Sequence, residues 1–258
     1  MTGISLRSST RSEWIKFRSV PSTLYSVIAM FVLTLGLGAL INLGISHDYQ
    51  SHSEKIFDPL ATSLFGTFFA QFVVGVIGAL IVTNEYTSGS IRNSLAAVPR
   101  RVLLIASKLV VLVVVLIAIS EIIVFLAFFI GQAILKTGRA PTFTIGSTGV
   151  LRGVVLAGVY LVLLGAMGFA FGLLLRKTTA AIVVFVVVQL VVPGLLFLLP
   201  TRWGQPILRY MPNELGVGMM TANHAPGTFA PVECTLLLLV YVVALLAIGT
   251  ALMNSRDA

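Results

Sequence analysis

Charged side chains are scarce in this sequence: Lys, Arg, Asp and Glu supply 10% of its 258 residues, whereas apolar types supply 57%. A soluble domain typically carries about 25% charged residues and about 45–50% apolar ones. A chain so poor in charge cannot cover a folded surface that faces water on all sides. The composition therefore excludes a soluble enzyme and a disordered chain, and it predicts a polytopic membrane protein of one domain.

Catalytic and nucleotide-binding motifs are also lacking. The sequence has no Gly-rich loop that ends in Lys-Ser or Lys-Thr, so we do not expect the chain itself to hydrolyse ATP. It has no His-Glu-x-x-His or Gly-x-Ser-x-Gly pattern, and its single cysteine, Cys234, cannot form an internal disulfide. We therefore predict no catalytic residue, no metal site and no cofactor bound by this chain.

What the sequence does contain is six long apolar stretches. A bilayer core about 30 Å thick needs roughly 20 apolar helical residues to cross it. In lipid, only helices and closed barrels satisfy their own backbone groups, and these stretches are too long and too continuous for barrel strands. The prediction is an all-α fold with six transmembrane helices. The predicted spans cover about 22–43, 59–82, 109–135, 150–175, 179–199 and 234–253.

The basic residues are divided unevenly between the two sides of the predicted bundle. Six spans place both termini on one side, and eleven of the 17 Lys and Arg residues fall on that side. Cytoplasmic loops of membrane proteins carry an excess of Lys and Arg. Both termini are therefore predicted to be cytoplasmic, in a multi-pass protein of the plasma membrane. The net charge of +8 orients the chain in the membrane and indicates no nucleic-acid partner.

Two segments on the predicted cytoplasmic side suit short helices outside the spans. Residues 5–20 mix Trp14 with basic residues, which is typical of an interfacial elbow helix, although an ordinary basic flank of the first span is the alternative. In the loop after the second span, Ser88 suits the start of a short helix and Pro99 its end. On composition alone, that helix is equally suited to the membrane surface and to a partner protein.

Polar residues are few within the predicted spans. A charge at mid-span costs about 2.5–3.5 kcal/mol on insertion scales, so Glu121 is expected to face the bundle interior or an aqueous cavity. Its role is either substrate contact or proton transfer, or a structural hydrogen bond to a neighbouring helix. Glycines on one face of the fourth span predict a close helix approach. These glycines are Gly158, Gly165, Gly168 and Gly172.

Two amides lie beside phenylalanines on otherwise apolar helix faces. Gln71 shares a face of the second span with Leu64 and Phe68, and Gln189 shares a face of the fifth span with Phe185. This pattern suits a path for an amphipathic or apolar substrate, and it equally suits plain helix packing. Pro193 is expected to kink the fifth span or to end its regular part, because proline removes a backbone donor.

Three stretches flank the spans in a definite order: RSEWIKFRS at 11–19, NEYTSGSIR at 84–92 together with 95–101, and FGLLLRKTTAA at 171–181. Together they resemble the elbow helix, the coupling segment and the tight basic turn of permease subunits of type-2 ABC transporters, the ABCG/ABCA-like exporter class. The resemblance covers nearly the whole chain. This sequence departs from the large-loop members of the class because its outer loops are short, and it lacks a fused ATPase.

The resemblance implies partners and roles. Two permeases would pair, as a homodimer or with a related permease, and each would rest on a separate ABC subunit that holds ATP and Mg²⁺. The complex would export a drug, peptide antibiotic or lipid from a bacterial cell, and the second and fifth spans would line the path. The residues implied are the elbow residues Glu13, Trp14, Lys16, Phe17 and Arg18, the coupling residues Glu85, Tyr86, Gly89, Ile91, Arg92, Pro99, Arg100 and Arg101, and the path residues Leu64, Phe68, Gln71, Phe185 and Gln189.

Two other classes of protein stay open on the sequence. An ion-coupled secondary transporter would use Glu121 as its proton-coupling residue, but the sequence shows no obvious internal repeat. A membrane scaffold or sensor would transport nothing. A neighbouring reading frame that encodes an ATPase would favour the ABC permease over both.

Overall fold

The computed structural model describes residues 6–19, 21–48, 57–90, 101–222 and 227–255. The described chain is helical and contains no strand, which confirms the predicted all-α class. Two short π-helical segments interrupt the α-helices, at Val32–Leu37 and Val187–Val191. In chain order the α-helices are α1 (Leu6–Ser19), α2 (Pro21–Phe31), α3 (Gly38–Asp48), α4 (Pro59–Ser63), α5 (Thr67–Thr87), α6 (Arg101–Thr137), α7 (Val150–Leu175), α8 (Thr178–Val186), α9 (Val192–Phe197), α10 (Thr201–Leu208), α11 (Pro212–Met220) and α12 (Pro231–Ser255).

Six helical stretches in the described chain are long and apolar enough to cross a membrane, which matches the predicted number and order. The fourth of these lies at the centre of the bundle. Of its most apolar 18-residue stretch, 78% is buried, whereas the corresponding share is 17–22% for the first, fifth and sixth. The six spans are Leu24–His47, Thr67–Thr87, Arg101–Thr137, Val150–Leu175, Thr178–Phe197 and Pro231–Met253.

The second span differs from its predicted limits of 59–82. Asp58 accepts hydrogen bonds from the backbone N–H groups of Leu60 and Ala61, and it thereby starts the separate helix α4. A turn then follows, and α5 begins at Thr67 and continues to Thr87. Gly66 in this turn lies against the backbone of Thr34 in the first span, where a Cβ atom would overlap the carbonyl group. The path residue Leu64 therefore lies in a turn and not on the second span.

The glycine face of the fourth span makes the predicted close approach. A methyl group added at Gly168 of α7 would overlap the backbone of Gly75 in α5, and one added at Gly78 would overlap the backbone of Gly165. Backbone contact at these two points leaves no room for side chains between the helices. The predicted seam is therefore confirmed, and it fixes α5 against α7.

The fifth span is irregular where the sequence predicts it. The regular helix α8 ends at Val186, and the π segment Val187–Val191 precedes Pro193. Pro193 has no N–H to donate to the carbonyl four residues earlier, which belongs to Gln189, and its ring crowds that carbonyl. The helix therefore widens at this point. This confirms the prediction that the regular part of the fifth span ends here.

The helical spacing of Trp203, Ile207, Tyr210 and Met211 predicts an amphipathic piece after the fifth span that packs back onto the bundle, and helix α10 is found there. Trp203 and Ile207 do not face the bundle, since they are 62% and 48% exposed. Gly204 and Leu208 are the buried residues. Gly204 lies against the backbone of Leu196, where a larger residue would not fit. Close backbone packing therefore decides which face of α10 turns inward.

Candidate functional site

Four charged side chains form a closed ring of alternating sign. Lys108 donates to Glu13 Oε2 at 2.6 Å and to Glu85 Oε1 at 2.7 Å. Lys16 donates to Glu13 Oε1 and to Glu85 Oε1, each at 3.0 Å. We call these four residues the charged ring. It joins the elbow helix α1 to the end of the second span and to the start of the third.

Three members of the charged ring are removed from solvent. Glu13, Glu85 and Lys108 are 7%, 8% and 6% exposed, whereas Lys16 forms the accessible edge. Two lysines and two glutamates carry no net charge as a set, so the ring satisfies its own buried charges. The loss of one buried partner typically costs about 3–5 kcal/mol, because another charge is left buried without compensation. The ring is thus a strong constraint on the relative positions of α1, α5 and α6.

The pKa of Lys16 reflects this environment. Partial burial by itself would lower the pKa, but hydrogen bonds and charge attraction from Glu85 and Glu13 outweigh burial, and the pKa is raised above its usual value. Lys16 is therefore protonated at neutral pH. A raised lysine pKa contributes stability that is fully present below the unfolded-state pKa and is lost only as the pH rises through the folded-state pKa.

Helical spacing explains why the ring forms. Ser9, Glu13 and Lys16 are four and three residues apart, so they lie on one face of α1. That face packs on α6, where the Ser9 hydroxyl donates to the Ser107 hydroxyl at 2.9 Å. The opposite face of α1 carries Trp14, which is 46% exposed. This arrangement agrees with the elbow helix predicted over residues 5–20.

A second group of contacts lies next to the charged ring. The guanidinium of Arg176 lies over the ring of Tyr86 at 5.4 Å, and the Thr178 hydroxyl donates to the Thr83 hydroxyl at 2.9 Å. Arg176 ends α7 in the left-handed conformation, with φ of 55°, which makes the turn to α8 tight. The end of the second span is therefore held on one side by the elbow helix and on the other by the basic turn.

The same end of the bundle also holds the last helix. The guanidinium of Arg101, at the start of α6, donates to the backbone carbonyl of Met253 in α12. The elbow helix, the start of the third span and the end of the sixth span therefore lie at one end. We call it the α1 end of the bundle.

The described residues contain part of the predicted coupling segment. Glu85, Tyr86 and Arg101 lie at the α1 end in contact with other helices, whereas Gly89 is exposed and has a φ of 70°. Ser88 follows the last residue of α5, and its hydroxyl donates to the carbonyl of Asn84. Most of the predicted coupling helix lies outside the described residues, including Ile91, Arg92, Pro99 and Arg100.

The remaining elbow residues are placed by their helix. Phe17 and Arg18 belong to α1, and their side chains lie outside the described part of the chain. Sequence reasoning missed Lys108, which counted only as a basic residue of a loop. Lys108 follows Ser107 at the start of a long apolar run, two turns after α6 begins. A single lysine at such a position indicates a buried carboxylate partner.

The two amides of the predicted path meet inside the protomer. The Tyr160 hydroxyl donates to Gln71 Oε1 at 2.6 Å, and Gln189 Nε2 approaches the same oxygen at 3.4 Å. All three residues are at most 2% exposed. Gln71 Nε2 and Gln189 Oε1 are buried, and neither has a hydrogen-bond partner in the part of the chain that the structure describes. The second, fourth and fifth spans thus share a small polar cluster, and no sequence pattern indicates the tyrosine at its centre.

The other predicted path residues are placed in different surroundings. Phe185 is 1% exposed, and its ring lies over Gly75. Phe68 is half-buried in a row of aromatic rings with Phe69 and Phe72, at centroid distances of 5.5 and 5.7 Å. Gln132, in contrast, is fully engaged outside this region, with Ser63 among its partners. Only the two amides and Phe185 are therefore gathered at one place.

Glu121 turns towards the fourth span. Its carboxylate lies against Gly158 of α7, where an added Cβ atom would overlap it. The carboxylate is therefore in contact with the fourth span, while the side chain as a whole is partly exposed. The structural hydrogen bond that the sequence left open is not found for Glu121 Oε2, which is buried without a partner among the described residues.

Six spans around a central fourth helix, with an elbow helix fixed at one end, define a multi-pass membrane protein. The family model described as ABC-2 family transporter protein matches residues 10–192. This match covers most of the chain, so the protein belongs to the ABC-2 family of transporter proteins, and it is a membrane permease subunit of an ABC transporter. Such a subunit works with an ABC ATPase in general. No curated protein matches the sequence significantly.

Proposed function

We propose that this chain is the permease of an ABC exporter that moves an amphipathic or apolar substrate, such as a drug, a peptide antibiotic or a lipid, out of a bacterial cell. Two copies pair in the plasma membrane with both termini cytoplasmic. Each copy rests on one of two ABC subunits, which bind ATP and Mg²⁺. The observation that carries the proposal is the charged ring, because it joins the elbow helix to both ends of the segment that would meet the ATPase.

The charged ring supports a mechanical route from the ATPase to the spans. ATP binding closes the two ABC subunits, and the segment from Glu85 to Arg101 receives that movement. Because Lys108 pairs with Glu13 and Glu85 in a buried site, separation of α1, α5 and α6 would expose unpaired charges to an apolar environment. The three helices therefore move as one unit, and their movement opens the path between the two permeases outward.

Assembly with the ATPase tests the proposal. We expect the chain to co-purify from membranes with an ABC ATPase encoded by a neighbouring reading frame, and we expect Arg92→Ala to weaken that association severalfold. Arg202→Ala serves as the matched control, because Arg202 is an exposed arginine on α10, away from the α1 end. Transport driven by a pH gradient with no ATPase bound would contradict the proposal and would favour a secondary transporter.

The buried polar cluster is the proposed recognition point of the path. We expect Gln71→Leu and Gln189→Leu each to change the rate of transport or the stimulation of ATP hydrolysis by substrate severalfold. The reason is that each substitution removes a polar group that has hydrogen-bonding capacity left over. The comparison variant is Gln132→Leu, since Gln132 already has partners for its amide. If all three substitutions changed stability equally, and neither Gln71→Leu nor Gln189→Leu changed transport, the two amides would be assigned to helix packing.

A further inference from the structure

Glu121 occupies the middle of the third span. It follows Leu109 by twelve residues and precedes Leu135 by fourteen, which places it ~18 Å and ~21 Å along the helix axis from the ends of the predicted apolar stretch. Its carboxylate lies over Gly158, because the missing side chain at Gly158 leaves a notch between α6 and α7 that the carboxylate occupies. An acidic group at this depth is costly unless it is neutral or paired.

No cation of the described chain pairs with this carboxylate. Glu121 Oε2 is buried, and no described residue forms a hydrogen bond with it. On α6, the nearest basic residue is Lys108, which is ~20 Å away along the helix and is held in the charged ring. On α7, the nearest is Arg152, which donates to the backbone carbonyls of Thr221 and Ala222. Among the described residues, therefore, Glu121 has no partner, and a proton or a group from outside them is left to fill that place.

The surface around Glu121 is apolar and faces outwards. Glu121 itself is partly exposed, although its Oε2 is enclosed. Ile117 and Ile122, on the same helix, are 48% and 55% exposed, and Val155, one turn before Gly158 on α7, is 38% exposed. Because these residues belong to membrane-spanning helices, we expect a molecule dissolved in the bilayer to meet them before it enters the interior of the protomer.

We propose that the notch at Glu121 and Gly158 binds the protonated amine of a membrane-dissolved amphiphile. The ammonium group would pair with the carboxylate, and the hydrocarbon chain would lie along Ile117, Ile122 and Val155. An ammonium supplies both the positive charge and the hydrogen-bond donors that the buried oxygen lacks. This inference does not rest on the proposed function, because it concerns binding and holds whether or not the amphiphile is transported.

Binding of radiolabelled dodecylamine tests the proposal, with dodecanol as the neutral counterpart of equal chain length. The chain is placed in nanodiscs of phosphatidylcholine, which has no net charge to attract the amine. At pH 7 we expect saturable binding of dodecylamine, with at least a tenfold loss of affinity in Glu121→Gln. Dodecanol should bind weakly and equally to both proteins.

A second pair of variants still tests the proposal if Glu121→Gln is poorly folded. Gly158→Ala fills the notch and leaves the carboxylate in the chain, so it should also weaken dodecylamine binding. Gly36→Ala is the matched control, because a Cβ atom at Gly36 would have no neighbour within 4 Å. Equal dodecylamine affinity in wild type and all three variants would overturn the proposal. Absence of saturable binding would also overturn the proposal. An infrared band of a protonated carboxyl that disappears in Glu121→Gln would then show that the partner is a proton only.

Discussion

Lys108→Met should destabilise the folded protein by about 3–5 kcal/mol and abolish coupled transport. The substitution keeps most of the apolar side-chain volume but leaves Glu13 and Glu85 facing each other, with only the partly exposed Lys16 between them. Removal of one partner from a buried ion pair leaves the other charge uncompensated in an apolar site. Thermal unfolding in detergent, followed on the purified chain, measures the loss directly.

A matched control separates charge from position. Lys136→Met removes a lysine near the other end of the same helix, where no ion pair to it is found among the described residues, and it should change stability by less than 0.5 kcal/mol, in line with ordinary surface substitutions. A covalent link provides the complementary test. In a Cys234→Ala background, a disulfide between Ser9→Cys and Ser107→Cys should restore part of the stability lost in Lys108→Met, because it fixes α1 on α6 without the lysine. Equal stability of Lys108→Met and Lys136→Met would show that the charged ring does not hold these helices together.

Gly168→Ala should be among the most damaging small substitutions in the membrane-spanning part. The new methyl group would overlap the backbone of Gly75, and backbone atoms cannot rotate away as a flexible side chain does. Helices α5 and α7 would have to separate along their whole seam, with a loss of about 2–4 kcal/mol, comparable to severe overpacking of a core. The measurement is the yield of folded protein after membrane extraction together with its unfolding temperature.

Gly194→Ala is the control for this substitution. A Cβ atom at Gly194 would have no neighbour within 4 Å, and alanine in a helix is favoured over glycine by roughly 0.5–1 kcal/mol. We therefore expect Gly194→Ala to be neutral or slightly stabilising. If Gly168→Ala and Gly194→Ala were equally well tolerated, that result would contradict close backbone contact between the second and fourth spans.

The features that the sequence predicts well are those set by local pattern. The length of the apolar stretches fixes the spans, the spacing of Gly158, Gly165, Gly168 and Gly172 fixes the contact face of α7, and Pro193 fixes where the fifth span loses its regularity. An acidic residue at the end of the second span also predicts a tie to the basic elbow helix, and Glu85 makes that contact with Lys16. Each of these depends on chemistry within one helix or on charges that flank a span.

The features that the sequence did not predict depend on which helices meet. The sequence places Lys108 in a loop, and its role becomes clear only because α6 begins at Arg101. Tyr160 belongs to an apolar run in the sequence, and only the structure places it beside Gln71 and Gln189. The division of the second span at Leu64–Gly66 follows from the packing of Gly66 on the first span. The inward face of α10 follows from the contact of Gly204 with Leu196. Pairings over such long sequence separations leave no periodic signal in a single chain.

Stimulation of ATP hydrolysis by substrate is the most direct measure of the central claim, that the charged ring connects the ATPase to the spans. Glu85→Gln keeps the shape of the side chain and removes its charge, whereas Glu233→Gln makes the same change at an exposed residue near the start of α12. In the reconstituted permease–ATPase complex, we expect Glu85→Gln to retain basal hydrolysis and assembly but to lose most of the stimulation. Glu233→Gln should behave as wild type. Full stimulation in an assembled Glu85→Gln complex would contradict the coupling role of the ring.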